Sequence, residues 1–336
     1  MMTGPLLFVL YAFPPNERGL CGPADSAALR GYATTGETGP GLTRLAGQFA
    51  GAWPYLRLIA AANGIADPLD TRVVEAYWIG NGLLDSVRVA DYGAFLDDRF
   101  RRQAGRGWAS IAAAIPAGAL PHHSFHVFCV YPWTGLLREG RAEPSLHVLD
   151  SCRISWGWVV TTDPLVVARR PLTWDGRLLA LGPPGPCQVA AGFVTGLRYG
   201  DWVSVHWNSV CDRLTPSQLL ALRRYSTHHL RLANSPIYAR LAEARLSVYS
   251  GPHRGGAMRK ALRWSVPICA LAGSLAVAVP GTASAAPGGG AGTWAVAPAF
   301  SGRLYGVAAI SDRDVWAVGL GGSGSLIVHW NGTSWS

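Results

Sequence analysis

The sequence predicts an α+β fold, with a helical N-terminal half packed on a small antiparallel β-barrel-like part that ends in a C-terminal helix. Three observations predict it. Leu45, Phe49, Trp53 and Leu56 fall on one stripe at helical spacing. From Cys152 to Arg213, short apolar segments are split by turns such as Trp174-Asp175-Gly176 and Gly182–Pro186, the pattern of a compact β domain. Thr215-Pro216-Ser217-Gln218 is a capping box with proline at the first helical position, so a helix follows the β part.

In chain order, Leu6–Tyr11 is an apolar run too short to cross a membrane, and Pro14-Pro15 predicts an extended segment after it. Cys21-Gly22-Pro23-Ala24-Asp25 leads into a helix from Asp25 to about Ala33. A second helix spans about Leu42 to Asn63, kinked or split at Pro54. A third runs from Asp70 to about Val87, with Val73, Tyr77 and Leu84 on one side and Val74 and Trp78 beside them. Asp91 to about Gln103 is the fourth, and Gly107–Ile115 a short fifth. Residues 1–120 are therefore read as a helical region.

Residues 121–232 are read as β-rich with a C-terminal helix. His126–Tyr131 and Leu146–Leu149 are expected to be paired strands, with a charged turn at Arg138–Pro144. The last strand alternates: Val203, Val205 and Trp207 on the core side, Trp202, Ser204, His206 and Asn208 on the other, so His206 is expected to face outward. The capped helix carries Leu219, Leu222 and Tyr225 inward and runs to about Leu232; His228-His229 near its end suit the macrodipole. A linker fills 233–257.

Met258 begins something different. Arg259, Lys260 and Arg263 precede an apolar segment, Trp264–Pro280, and Ala283 and Ala285 have small-x-small cleavage spacing. That order is the one a secretory signal peptide has. Residues 258–285 are thus signal-peptide-like or a single transmembrane segment, and the basic flank keeps 1–257 in the cytoplasm, with 286–336 extracytoplasmic if the segment acts. A flexible spacer, Gly288–Gly292, follows.

Composition bounds function. The 336 residues are 49% apolar, enough for real cores. The net charge of +9 is spread along the chain, and no basic run interleaves with aromatics, which argues against a nucleic-acid partner. None of the six cysteines, 21, 129, 152, 187, 211 and 269, forms a Cys-x-x-Cys pair, which argues against a zinc ribbon.

Two constellations can carry chemistry. Cys152 and His206 pair a thiolate with an imidazole, donors suited to iron, nickel or zinc. The ordinary alternative is that Cys152 is a core residue on the apolar side of Leu146, Val148, Ile154 and Trp156. Cys21, His126 and Asp150 give the order of a cysteine hydrolase: a cysteine before a helix, where the dipole favours thiolate, then a strand histidine and an acid, with His122 and His123 as substitutes for His126.

Four resemblances bear on these residues. Cys152, Gly157 and Val159, with Gly200, Asp201, Val203, Val205 and His206, resemble the opening and close of the small HypC/HupF hydrogenase-maturation chaperones. That resemblance implies a barrel in which the cysteine and histidine hold a carried iron fragment. In those proteins the cysteine begins the mature chain; here it is internal. Cys21-Gly-Pro-Ala resembles the nucleophile region of papain-like peptidases. Asp314–Gly319 and Leu326–Trp335 resemble one repeat of secreted actinobacterial β-propeller proteins, with Trp294 and Trp335 at equivalent positions, so 286–336 is read as a truncated propeller repeat. Finally, Tyr11–Asp25, Gly51–Leu69 and Val203–Leu214 make residues 1–250 similar to an actinobacterial family of unknown function, loosely tied to nickel-iron hydrogenase gene clusters. The expectation is a non-catalytic accessory or chaperone of nickel-iron hydrogenase maturation, with iron or nickel at Cys152 and His206 and the hydrogenase or its maturation proteins as partners. A cysteine hydrolase using Cys21, His126 and Asp150 is one alternative, and a structural interaction protein another. Membrane contact is expected only through 264–280.

Overall fold

Short polar side chains start three of the helices, as the sequence expects. Asp25 caps α2 (Ser26–Thr35) by accepting from Ala28 N at 3.0 Å, and Gly36, at φ 71°, closes it. Asp70 caps α5 (Thr71–Trp78) through Arg72 N. Both halves of the capping box at Thr215 and Gln218 are made at the head of α11 (Pro216–Ala233). The computed structural model describes residues 2–104, 108–131, 133–138, 140–235, 302–311, 314–321 and 324–330. The chain divides into two units, Met1–Cys269 and Ala270–Ser336.

The first unit is α+β. Its central element is α1 (Gly4–Glu17), buried from Leu7 to Asn16. Pro14 and Pro15 lie inside this helix, where an extended segment was expected. An interior proline costs a helix about 3 kcal/mol. Burying Phe8, Tyr11 and Phe13 returns roughly 1.5–3 kcal/mol each, so packing decides the conformation. Around α1 stand α2, α3 (Pro40–Ala46) and α5. The expected helix at 42–63 is two helices, α3 and α4 (Trp53–Ala62), with Pro54 in the first turn of the second, where its missing N–H does no harm. After α5 come a 3-10 turn (Gly82–Ser86), α6 (Val89–Ala104) and α7 (Trp108–Ala114).

The two expected strands at 126–131 and 146–149 are helical. His123–Phe125 (α8) runs into a π-helical turn, His126–Val130; then come α9 (Trp133–Arg138) and α10 (Ala142–Cys152). A short apolar run has no periodicity that separates a buried helix from a buried strand. Phe125–Val130 is buried on every side, which is the helical case.

The β part is a five-stranded antiparallel sheet of order β5-β2-β1-β6-β7, made of β1 (Ser155–Thr162), β2 (Leu165–Arg169), β5 (Gly185–Gln188), β6 (Trp202–His206) and β7 (Ser209–Arg213). A hairpin, β3 (Leu172–Trp174) and β4 (Leu179–Leu181), stands apart from it. The sheet curls until the chain beyond β5 meets β7 in one parallel bridge, Ala190 with Ser209. One face holds a small valine core: Val159, Val167, Val189, Val203, Val205 and Val210. The other face packs on α1, where Tyr11 Oη lies 2.8 Å from Ser204 Oγ. His206 is thus on the side opposite Val203 and Val205, as alternation requires, but that side is buried rather than outward.

The joint between helices and sheet is electrostatic. Asp150, in α10, accepts from Arg153 Nε (3.0 Å) and Nη2 (2.8 Å), from Arg169 Nη1 (2.8 Å) and from Leu172 N (2.8 Å). Burial pushes its carboxyl up, but the two guanidinium groups outweigh that and hold it below the usual carboxylate range.

In the second unit, β8 (Gly302–Ser311), β9 (Asp314–Gly321) and β10 (Gly324–Trp330) form an antiparallel meander of order β10-β9-β8. The linker beyond Ser235, the signal-like segment 258–285 and the spacer at 288–292 lie outside the described residues. Among the described residues no helix is long and apolar enough to cross a membrane.

Two substitutions test this account. Asp150→Ala leaves the buried Arg153 cation unpaired and should cost on the order of 3–5 kcal/mol in urea unfolding. Thr215→Ala, which removes only a helix cap, should cost about 1 kcal/mol in the same assay.

Candidate metal centre

The turn after β6 sets the site. Trp207 and Asn208 both have positive φ, 49° and 57°, so two residues reverse the chain between His206 and Ser209. Asn takes that conformation readily; Trp does not, and is held there by its N–H, which donates to Ser151 O at 2.9 Å. That bond draws the end of β6 onto the end of α10, and so His206 towards Cys152. From a third direction, α8 brings His123. Ligand-capable atoms of His123, Cys152 and His206 lie within 4.8 Å of one another, the one such group of three among the described residues.

Each histidine is fixed by a backbone carbonyl. His206 Nδ1–H donates to Tyr11 O at 2.8 Å, which leaves Nε2 as the bare lone pair; Nε2 is buried and has no hydrogen-bond partner. His123 has Nε2 2.8 Å from Cys152 O and Nδ1 3.2 Å from Tyr77 Oη. Its ring lies against Trp78, 4.7 Å between centroids, and edge-on to His206 at 5.3 Å. Burial lowers the pKa of His123 to about 4 and that of His206 to about 3, so both rings are neutral at pH 7, the state in which imidazole binds a metal. Cys152 is half-buried and packs against the main core, while both histidines are buried. Two imidazoles and a thiol suit a borderline transition metal such as iron, nickel or zinc, and a buried imidazole nitrogen without a partner is the polar gap that such an ion fills.

Cys152 and His206 lie near each other, and Cys152 ends a helix rather than opening a strand, since β1 begins three residues later at Ser155. The sequence offers His123 only as a substitute for His126. Three histidines among residues 122–126 were the available signal, and their spacing does not say which one meets Cys152.

The alternative set does not assemble in the same way. His126 Nδ1 lies 2.9 Å from Tyr55 Oη, and its ring stacks edge-on against Tyr131. Asp150 is spent on Arg153, Arg169 and the Leu172 amide and does not meet His126. The acid that would orient the imidazole is therefore engaged elsewhere. Cys21 lies four residues before the Asp25 cap of α2, outside that helix's first turn, so the helix dipole does not reach it.

His229, read as a partner of the helix dipole, is instead buried. Its Nε2 accepts from Leu120 N at 3.3 Å, so Nδ1–H donates to Ser124 Oγ at 2.7 Å, and that hydroxyl lies 2.7 Å from His122 Nδ1. Burial lowers His122 and His126 to about 3 and His229 well below its ordinary value. Five neutral histidines with depressed folded-state values make acid destabilising. Below about pH 6.5 the unfolded chain takes up protons that the native one refuses, down to about pH 4 for His123 and about pH 3 for His122, His126 and His206. Between pH 7.5 and 5.5, urea unfolding should show a loss on the order of 1 kcal/mol per histidine, and a His126→Phe variant a shallower slope.

No curated protein and no solved structure matches the chain. A family model described as a family of unknown function, DUF6390, matches residues 1–240, which hold the whole cluster and every element from α1 to α11. The chain belongs to the DUF6390 family.

Proposed function

We propose that the first unit is a non-catalytic, metal-holding accessory protein, with His123, Cys152 and His206 as ligands for iron or nickel. One observation carries the reading: three soft or borderline donors converge within 4.8 Å, one of them a buried imidazole nitrogen with no other partner. A buried polar atom without a partner costs about 1–3 kcal/mol unless something binds it. The chain's own residues supply orientation: the Tyr11 carbonyl fixes the His206 tautomer, and the end of α10 brings a half-buried Cys152 to the two rings. A metal held there would be exchanged through Cys152, as a carrier requires.

Hydrogenase maturation is the destination this reading favours. The support is the HypC/HupF resemblance at both ends of 152–207, together with the pairing of β1 and β6, which are neighbours in register from Ser155↔Val205 to Trp158↔Trp202. The hydrogenase or its maturation proteins are then the partners. For 286–336 the propeller-repeat reading stands as a proposal, supported by three neighbouring antiparallel strands.

Cys152→Ala should abolish iron or nickel co-purification with the full chain while changing its thermal midpoint little, because a half-buried thiol contributes little packing. A large loss of stability with unchanged metal content would make Cys152 a core residue and end the carrier reading.

A further inference from the structure

Of the two histidines, only His206 turns a bare nitrogen to the cluster as it stands. Its Nδ1–H is held by Tyr11 O, and Nε2 has no partner. His123 is in the opposite state. The nitrogen that faces Cys152 is Nε2, and at 2.8 Å from a carbonyl oxygen it must carry the proton. A protonated Nε2 cannot ligate. Resting on the metal-site reading, we propose that loading the site switches His123 from its Nε2–H to its Nδ1–H tautomer, and that Tyr77 is the positioning residue that receives the new N–H.

The surroundings of Tyr77 fit both states. Its hydroxyl lies 3.2 Å from His123 Nδ1 and 3.2 Å from Gly51 O. When Nε2 carries the proton, Nδ1 and Gly51 O are both acceptors and compete for the one hydroxyl proton. When Nδ1 carries it, both bonds are made: Nδ1–H donates to Tyr77 Oη, and Tyr77 O–H donates to Gly51 O. The cost is the bond from His123 Nε2–H to the Cys152 carbonyl, which metal ligation must outweigh. The protons balance. The imidazole moves one proton from Nε2 to Nδ1 and releases none, and the Cys152 thiol releases one to solvent on becoming a ligand. His123 then has the tautomer that His206 already has.

The Tyr77 ring is buried and stacks edge-on against His123 and Trp78, so Tyr77→Phe keeps the packing and removes only the hydroxyl. The experiment uses the full chain with zinc as the probe. Long-range 15N–1H spectra of 15N-histidine-labelled protein, with His123 assigned through His123→Gln, report the tautomer. His123 should be protonated at Nε2 without metal and at Nδ1 when zinc-saturated. In chelator competition Y77F should bind zinc about 10–100-fold more weakly, and its thermal midpoint should fall further behind the wild type with zinc than without. A purely structural Tyr77 would lower both midpoints equally and leave zinc affinity unchanged. Zinc binding by the wild type with His123 still protonated at Nε2, or equal binding by Y77F, overturns the tautomer switch and leaves the metal site standing. No zinc binding by the wild type removes both. Should Y77F not fold, the wild-type spectra decide alone.

Discussion

Arg153 is a cation with 2% of its side chain exposed, and the junction of α10 and β1 is organised to keep it paired. An unpaired charge at that depth is not tolerated, so Asp150 must be ionised and aimed at it. The same carboxylate takes Arg169 of β2 and the Leu172 amide at the start of β3, while Arg153 Nη2 donates to Arg170 O. One acid therefore fixes the end of α10 against three parts of the β structure. Cys152 lies between these two residues, so its position is a consequence of a charge that cannot be left alone.

Around that fixed end the aromatic and histidine side chains form one dry layer. Tyr11 stacks on Trp78 at 5.6 Å, Trp78 contacts His123 and His206, and Tyr55, Tyr92 and Phe125 carry the contact on towards His126 and His229. Close-packed surroundings hold the rings in single orientations, and desolvation keeps them neutral. Both conditions suit ligation, and both come from ordinary core packing. Backbone carbonyls do the orienting: Tyr11 O for His206, Cys152 O for His123, Gly118 O for His228.

Glycines mark where this layer is tightest. A Cβ on Gly80, at φ 97°, would stand 2.0 Å from the Tyr225 ring, and one on Gly157 would stand 2.4 Å from Ala168 O. The first lets α11 close over the turn after α5; the second lets β1 and β2 approach where the valine core begins.

What the sequence by itself determined is local. Asp25, Asp70 and the Thr215 box start helices where they stand because a side-chain oxygen satisfies nearby amides, and the alternation at 202–206 assigns opposite faces whatever lies beyond them. The Cys152–His206 pairing was legible too, through residues at two ends of a segment whose first and last strands are neighbours. Tertiary structure decided the rest. The prolines of α1 sit in a helix because burial of the whole helix outweighs them. His126–Tyr131 is helical because every side of it meets core. His206 is buried because α1 covers a face that a lone sheet would leave wet. His123 joins the cluster because α8 is carried to the end of α10, and no spacing within 122–126 encodes that arrival. Asp150 is committed to arginines from other elements, which sequence order cannot reveal, since an acid after a histidine reads the same whether it faces an imidazole or a guanidinium.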